Sequence, residues 1–79
     1  MGDRWIYNVR LELWLDGGPF SLVWEKALTQ PEHEELMADI VRPGAQRHPD
    51  QIGAETSWIW TWWYGPFEVR TYVEKMRGG

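Results

Sequence analysis

Between Trp5 and Asp16 the residue types alternate: Trp5, Tyr7, Val9, Leu11, Leu13 and Leu15 fall on one side, with Asn8, Arg10, Glu12 and Asp16 on the other. A period of two over that length specifies a strand with one buried face. Asp16-Gly17-Gly18-Pro19 then supplies the positive φ angles of a tight hairpin, and Phe20, Leu22, Trp24, Lys26 and Leu28 alternate beyond it. With Gly17-Gly18 as a two-residue loop, Leu15 faces Phe20, Leu13 faces Leu22 and Leu11 faces Trp24, so every apolar pair shares one side. Arg10 then meets Glu25 on the opposite side, a cross-strand ion pair that stabilises by about 0.2 to 1 kcal/mol. A slip of one residue would destroy both matches.

A second hairpin follows the same logic. Trp58, Trp60, Trp62 and Tyr64 alternate with Ile59, Thr61 and Trp63, Gly65-Pro66 breaks the run, and Phe67, Val69, Thr71 and Val73 continue it. With Gly65-Pro66 as the loop, Tyr64 faces Phe67, Trp62 faces Val69, Trp60 faces Thr71 and Trp58 faces Val73. Gly at the first loop position suits a type II′ turn, in which proline at the second keeps its negative φ. Between the hairpins, Thr29-Gln30-Pro31-Glu32 reads as a capping box, and Leu36, Met37, Ile40 and Val41 mark an apolar stripe at helical spacing. Arg42-Pro43-Gly44 ends that helix, because proline disfavours helical angles in the residue before it.

The chain is thus expected to form one domain over 1–79: a hairpin over 5–28, a helix over 29–42, a loop over 43–55 and a hairpin over 56–76. The loop is polar and longer than most connections, which makes it a docking element or a mobile connection. The fold class is α+β, a four-stranded, mostly antiparallel sheet in the order β-β-α-β-β with one helix packed on one face.

Composition sharpens the question of what holds so small a fold together. Seventy-nine residues bury only roughly 60% of the surface their unfolded chain exposes, and there is no cysteine to form a disulfide or a thiolate metal site. Seven tryptophans are present instead, each able to remove about 150 to 250 Å² from water. They are either the staple of the core or a contact surface. Twelve acidic residues against eight basic ones give a net charge of -4, which argues against a partner held mainly through its phosphates. The start Met1-Gly2-Asp3-Arg4 has neither the basic region nor the apolar stretch of a secretory signal, and Ile6 stands where myristoylation needs Ser or Thr. With no long apolar run either, the expectation is a soluble cytoplasmic protein without a membrane partner.

If the helix covers the face formed by Leu11, Leu13, Leu22, Trp24, Trp60, Trp62 and Val69, the other sheet face is left open. It carries Ile6, Trp14, Val23, Ile59, Trp63 and Tyr72 among Arg10, Glu12, Glu25, Glu68 and Arg70. Either neighbouring side chains cover these rings, or Trp14, Trp63 and Tyr72 are contact residues. The simplest contact is a homodimer, pairing sheet to sheet or edge to edge through Trp5–Asp16. A second candidate surface is acidic: Glu32, Glu34, Glu35 and Asp39 on the helix, which Asp16, Asp50 and Glu55 could extend. First-turn carboxylates complement the helix dipole, which accounts for Glu32 and Glu34 but not for Asp39. The alternative is an acidic face that docks on a basic groove of another protein.

Catalytic chemistry has no foothold in the pattern. His33-Glu34-Glu35 lacks the second histidine of a helical zinc site. His48-Pro49-Asp50 places an imidazole near a carboxylate, but neither Ser21 nor Ser57 sits in a nucleophile elbow. Gly17-Gly18 is a turn and not a phosphate loop. No enzyme, cofactor or metal is expected. An open sheet with Trp14, Trp63 and Tyr72 could stack single-stranded nucleic acid, with Arg10 and Arg70 beside the rings. Glu12, Glu25 and Glu68 on the same face oppose that use, so a protein partner is favoured over direct nucleic-acid binding.

The whole-chain profile, short, acidic and cysteine-free with two hairpins around one acidic helix and no catalytic set, resembles the small inhibitor proteins of phages and other mobile elements, anti-CRISPR proteins among them. The resemblance implies binding to an effector complex and occlusion of its nucleic-acid-binding surface. It would set Glu32, Glu34, Glu35 and Asp39 against arginines and lysines of a DNA-binding groove, with Trp63 or Trp14 as aromatic anchors. The tryptophans divide accordingly: Trp24, Trp58, Trp60 and Trp62 as core staples, Trp14 and Trp63 as contacts, with Trp5 fitting either set.

Overall fold

A computed structural model describes residues 4–41, 44–49 and 56–78. The elements are β1 (Arg4–Leu15), β2 (Gly18–Thr29), α1 (Gln30–Ile40), β3 (Gln46–Pro49), β4 (Ser57–Tyr64) and β5 (Phe67–Gly78). The strands form one antiparallel sheet in the order β2-β1-β5-β4-β3. The class is therefore α+β with one helix, and the sheet has five strands where the hydropathy pattern shows four. The additional strand, β3, lies in the stretch expected to be loop and pairs with β4 from Gln46↔Thr61 to Pro49↔Trp58. Its four residues carry no apolar alternation, which suits a short polar strand closing a sheet edge. Arg42, Pro43 and residues 50–55, Asp50 and Glu55 among them, lie outside the described residues.

The first hairpin turns one residue earlier than Gly17-Gly18. Asp16 and Gly17 both have positive φ, 52° and 79°, as a two-residue Asp-Gly loop of the I′ kind requires. Leu15 consequently pairs with Gly18 and Trp14 with Pro19, and β2 then carries two register shifts, which leave Phe20 and Val23 without a partner on β1. These bulges restore the expected pairing at Leu11↔Trp24 and Arg10↔Glu25. Between them, Leu13 meets Ser21, and Leu22 meets Glu12 on the opposite face. Leu22 is thereby moved out of the apolar side, and Leu13–Leu22 and Leu15–Phe20 do not form. The second hairpin has the register read from its sequence, from Tyr64↔Phe67 to Trp58↔Val73, with Gly65 at φ 59°.

Strand β1 is interior, flanked by β2 and β5. Edge-to-edge pairing of two copies through Trp5–Asp16 is therefore closed off, and the free edges belong to β2 and β3. Proline at 19, two bulges and the adjacent Glu25 and Lys26 are the devices that discourage pairing along an exposed β2 edge.

Helix α1 starts on the expected capping box: the Thr29 hydroxyl accepts from the Glu32 backbone N–H, while the Glu32 carboxylate accepts from the Thr29 N–H at 2.9 Å. It ends with the Val41 N–H bonded to the Met37 carbonyl at 3.0 Å. Its eleven residues span about 16 Å, whereas the twelve residues of β1 span about 40 Å. One short helix cannot cover such a sheet, and α1 lies over only one end, where Leu36 and Met37 pack against Tyr7, Val9 and Val73. Trp5, Trp24, Leu28, Trp58 and Trp60 complete that cluster. Leu11, Leu13, Leu22, Trp62 and Val69, expected beneath the helix, lie outside that cluster. No helix among the described residues is long and apolar enough to cross a membrane.

The core centre is aliphatic. Val9, Val73 and Thr71 are the side chains with essentially no exposure, joined by Tyr7, Leu11, Val69 and Ser57. None of the seven tryptophans is fully buried. Trp24, Trp58 and Trp60, read from the sequence as core staples, pack as a half-buried rim around the valines, whereas Trp62 lies outside that cluster.

Candidate functional site

Direct cross-strand pairs define the sheet face that α1 leaves open. Trp63, Glu68 and Trp14 form one row across β4, β5 and β1. Gln46, Thr61, Arg70, Glu12 and Leu22 form the next, and His48, Ile59, Tyr72, Arg10 and Glu25 the third. Residues paired in this way point to the same side, so the structure places Trp14, Trp63 and Tyr72 on one face as expected from the sequence.

Their surroundings differ. The Arg70 guanidinium lies 3.7 Å above the Trp14 ring and donates from Nε to Glu68 at 2.9 Å. Arg10 lies 4.4 Å from the Tyr72 ring centre. Its Nε is 2.8 Å from a Glu12 oxygen, an ion contact whose angle falls outside hydrogen-bond geometry. Glu12 in turn accepts from the Trp14 indole N–H at 2.9 Å. Arg10 thus turns to Glu12 and Tyr72 and forms no ion pair with the expected Glu25. Trp14 and Tyr72 are half-buried under guanidinium groups, which occupy the ring faces on which a base would stack. Trp63 is 73% exposed.

The capping of rings by cations runs through the whole molecule. Lys26 lies over Trp24, Arg47 over Trp58, and Lys75 and Arg77 over Trp5. Every lysine and arginine whose side chain is described therefore sits on an aromatic ring. Significant cation–π pairs occur about once per 70 to 80 residues in ordinary proteins, so this is a dominant feature of the chain. The rings so covered are all half-buried. The exposed rings, Trp63 and Tyr64 at 73% and Phe20 at 60%, carry no such cap among the described residues.

The exposed uncapped rings lie at one end of the sheet, with Trp63 and Tyr64 on opposite faces of β4. Antiparallel pairing of β1 with β5, running to Trp14↔Glu68, brings the Asp16-Gly17 and Gly65-Pro66 turns side by side. Phe20 and Phe67 meet across the two hairpins with ring centres 5.3 Å apart. Phe20, Leu22, Val23, Trp63 and Tyr64, all exposed, occupy this tip half of the sheet. Met76 is the exposed large apolar residue of the other half. Of the tip residues, Val23 and Trp63 are expected on the open face from the sequence, whereas Leu22 is expected beneath the helix and the exposure of Phe20 and Tyr64 has no signal in the alternation. The Asp-Gly dipeptide, the strongest short hairpin signal, was the clue that moves the turn and with it Leu22.

A shallow open hollow of about 400 Å³ borders Trp63, lined also by Gly44, Gln46, His48, Thr61 and Glu68. It continues over Ile59 towards Arg70. His48 Nε2 lies 3.1 Å from the Thr61 hydroxyl.

The acidic helix is elsewhere. Glu32 is committed to the cap, and its bonds with the Thr29 backbone N–H and hydroxyl hold its carboxyl below the usual carboxylate range. Glu34 accepts from Gln30 at 3.4 Å. Glu35 and Asp39 are exposed. His33 stacks on Tyr7 with centroids 4.2 Å apart and lies edge-on to Trp58. Burial pushes its pKa down, with Glu34 opposing. Since α1 covers the Tyr7 end of the other face, its carboxylates and Trp63 cannot belong to one continuous contact patch. Tyr7 and Leu15 alone are about 27 Å apart along β1. Among the described residues no group of three or more His, Cys, Asp or Glu is arranged to hold a metal ion.

No protein-family model, curated protein or solved structure matches the chain.

Proposed function

We propose that the chain is a small protein-binding inhibitor that occludes the nucleic-acid-binding surface of a partner complex, in the way an anti-CRISPR protein blocks target DNA binding by a CRISPR effector, and that it docks through the tip end of its sheet. One observation carries this reading: every cation whose side chain is described is committed to one of the protein's own rings, and the exposed rings, which lie near the two hairpin turns, carry none among the described residues. Exposed aromatic clusters of this kind are the usual anchors of protein interfaces. The commitment of the cations also leaves Glu35, Asp39, Asp16 and Glu74, all exposed, to set the outward electrostatics, which favours a basic partner.

The test is competition. Immobilised protein is exposed to a lysate in the presence and absence of excess duplex DNA, with the Trp63→Ala/Tyr64→Ala double variant as a parallel sample. The proposal expects a retained protein that DNA displaces and that the double variant fails to hold. Retention indifferent to DNA would remove the occlusion reading, and retention by the double variant would remove the tip as the docking surface. A parallel Glu35→Lys/Asp39→Lys variant that loses the partner while the tip variant keeps it would transfer the contact to the acidic helix.

A further inference from the structure

The row Trp63, Glu68, Trp14 contains the same arrangement twice, once complete and once lacking its cation. On one side of Glu68 the Trp14 ring carries the Arg70 guanidinium at 3.7 Å, and that guanidinium bonds one Glu68 oxygen, Oε1. On the other side stands Trp63, its ring bare and its flank opening onto the hollow lined by Glu68, His48, Thr61 and Gln46. The two tryptophans are two strand spacings apart, roughly 9.5 Å, which leaves room between them for one carboxylate and a planar group stacked on each ring.

We infer that the Trp63–Glu68 hollow receives an arginine side chain of the partner, which stacks on Trp63 and pairs with the Glu68 carboxylate as Arg70 does on the Trp14 side. This deepens the reading of a basic partner and rests on it. The chemistry favours a guanidinium: it is planar, stacks on indole while its edge donates to a carboxylate, and is more weakly hydrated than an ammonium. Tryptophan is the strongest ring acceptor for it. The Thr61 hydroxyl and the Gln46 side chain border the same hollow and can accept its remaining N–H groups. Arg70 does not close the site to a second cation, because among the described side chains this face carries Glu12, Glu25, Glu68 and Glu74 against Arg10 and Arg70.

The probe is acetyl-(Gly-Arg)4-amide, with the lysine and the neutral citrulline peptides of the same length as comparisons. The readout is the set of tryptophan indole N–H resonances of the labelled full chain. The inference expects saturable movement of the Trp63 resonance with the arginine peptide, at least threefold weaker binding of the lysine peptide, and none of the citrulline peptide. It also expects Trp63→Ala to weaken arginine binding at least tenfold with the fold unchanged by circular dichroism; Trp63→Gln repeats the test should the alanine variant fold poorly. Equal binding of the citrulline peptide, or arginine binding indifferent to both Trp63 variants, would overturn the site. If the arginine peptide instead moves the backbone resonances of Glu35 and Asp39, this site fails while the reading of a basic partner stands. If no resonance moves and DNA also fails to displace the captured partner, both fail.

Discussion

At the helix end of the sheet, Trp5, Trp24 and Trp58 lie under lysines and arginines, and Tyr7 is stacked against His33. At the tip end, Trp63, Tyr64 and Phe20 stand in solvent. The two ends are made of the same residue classes in the same alternation, so hydropathy does not separate them. What separates them is the placement of the cations and of a helix too short to span the sheet. A capped ring serves the stability of the fold, and a ring that is both uncapped and exposed is available to a partner. Substitutions at the two ends should therefore divide into those that change stability and those that change binding.

The largest stability effect is expected under the helix. Val73 is 1% exposed at the centre of the core, and Val73→Ala leaves a cavity among Val9, Tyr7 and the tryptophan rim. A loss of about 2 to 3 kcal/mol in urea denaturation is expected. An equal loss on substituting a tip residue would show that the tip is part of the core and would erase the contrast.

Thr71 sharpens the same comparison in the opposite direction. Its side chain is fully buried, and its hydroxyl has no hydrogen-bond partner among the described residues. Thr71→Val replaces that hydroxyl with a methyl group of similar shape beside Leu11 and Trp60, its neighbours across the sheet. Relief of an unsatisfied buried group should raise stability by about 1 to 2 kcal/mol, seen as a higher urea midpoint at an unchanged slope.

The degree to which these features can be read in the chain follows from how local they are. Both hairpins, the capping box and the pairing of Trp58 with Val73 are set by neighbours within a few tens of residues, and alternation plus turn residues reveals them. The pairing of β1 with β5 has no turn to announce it, so nothing local shows that Arg10 will lie over Tyr72 or Arg70 over Trp14. Those two contacts turn an expected open patch of Trp14, Trp63 and Tyr72 into one exposed ring beside two covered ones. Strand β3 escapes notice because an edge strand needs no apolar alternation. The displacement of Leu22 depends on a bulge, which a strict period of two excludes. The exposed carboxylates Glu35 and Asp39 are visible in the chain, but their separation from Trp63 emerges only when the helix is laid on one end of one face.

Acidification should act first on the helix end. Burial lowers the His33 pKa below its ordinary value of 6.5, so in the unfolded chain the imidazole takes up a proton at higher pH than in the folded one. The unfolded state then binds more protons, and stability rises with pH. The contribution is fully present above 6.5 and is lost as pH falls through the folded value. Glu32, also lowered by its cap, adds a second loss of the same sign below its ordinary 4.5. His33→Phe keeps the stack on Tyr7 and removes the titrating group. Its stability should change less than wild type between pH 7 and pH 5, while the acid limb due to Glu32 remains. Urea midpoints measured across that range decide it, and an unchanged slope in the variant would assign the pH dependence to other groups.

The smallest stability effect, and the most informative one, is expected at Trp63. A substitution at a largely exposed position away from caps, turns and buried networks usually stays within about 0.5 kcal/mol, and Trp63 is 73% exposed with no ring partner among the described residues. Trp63→Ala should therefore leave the urea midpoint almost unmoved. Trp58→Ala should lower it, since Trp58 packs on the core, meets Tyr7 and His33 edge-on and lies under Arg47. Partner retention should show the reverse order, lost with Trp63→Ala and kept with Trp58→Ala as long as that variant is folded. Two tryptophans five residues apart on one strand would then have opposite consequences, and because they point to opposite faces of β4, the difference would trace to a single geometric cause. If Trp63→Ala cost as much stability as Trp58→Ala, the exposed ring would have a structural role, and an exposed, uncapped ring would no longer mark a binding surface in this fold.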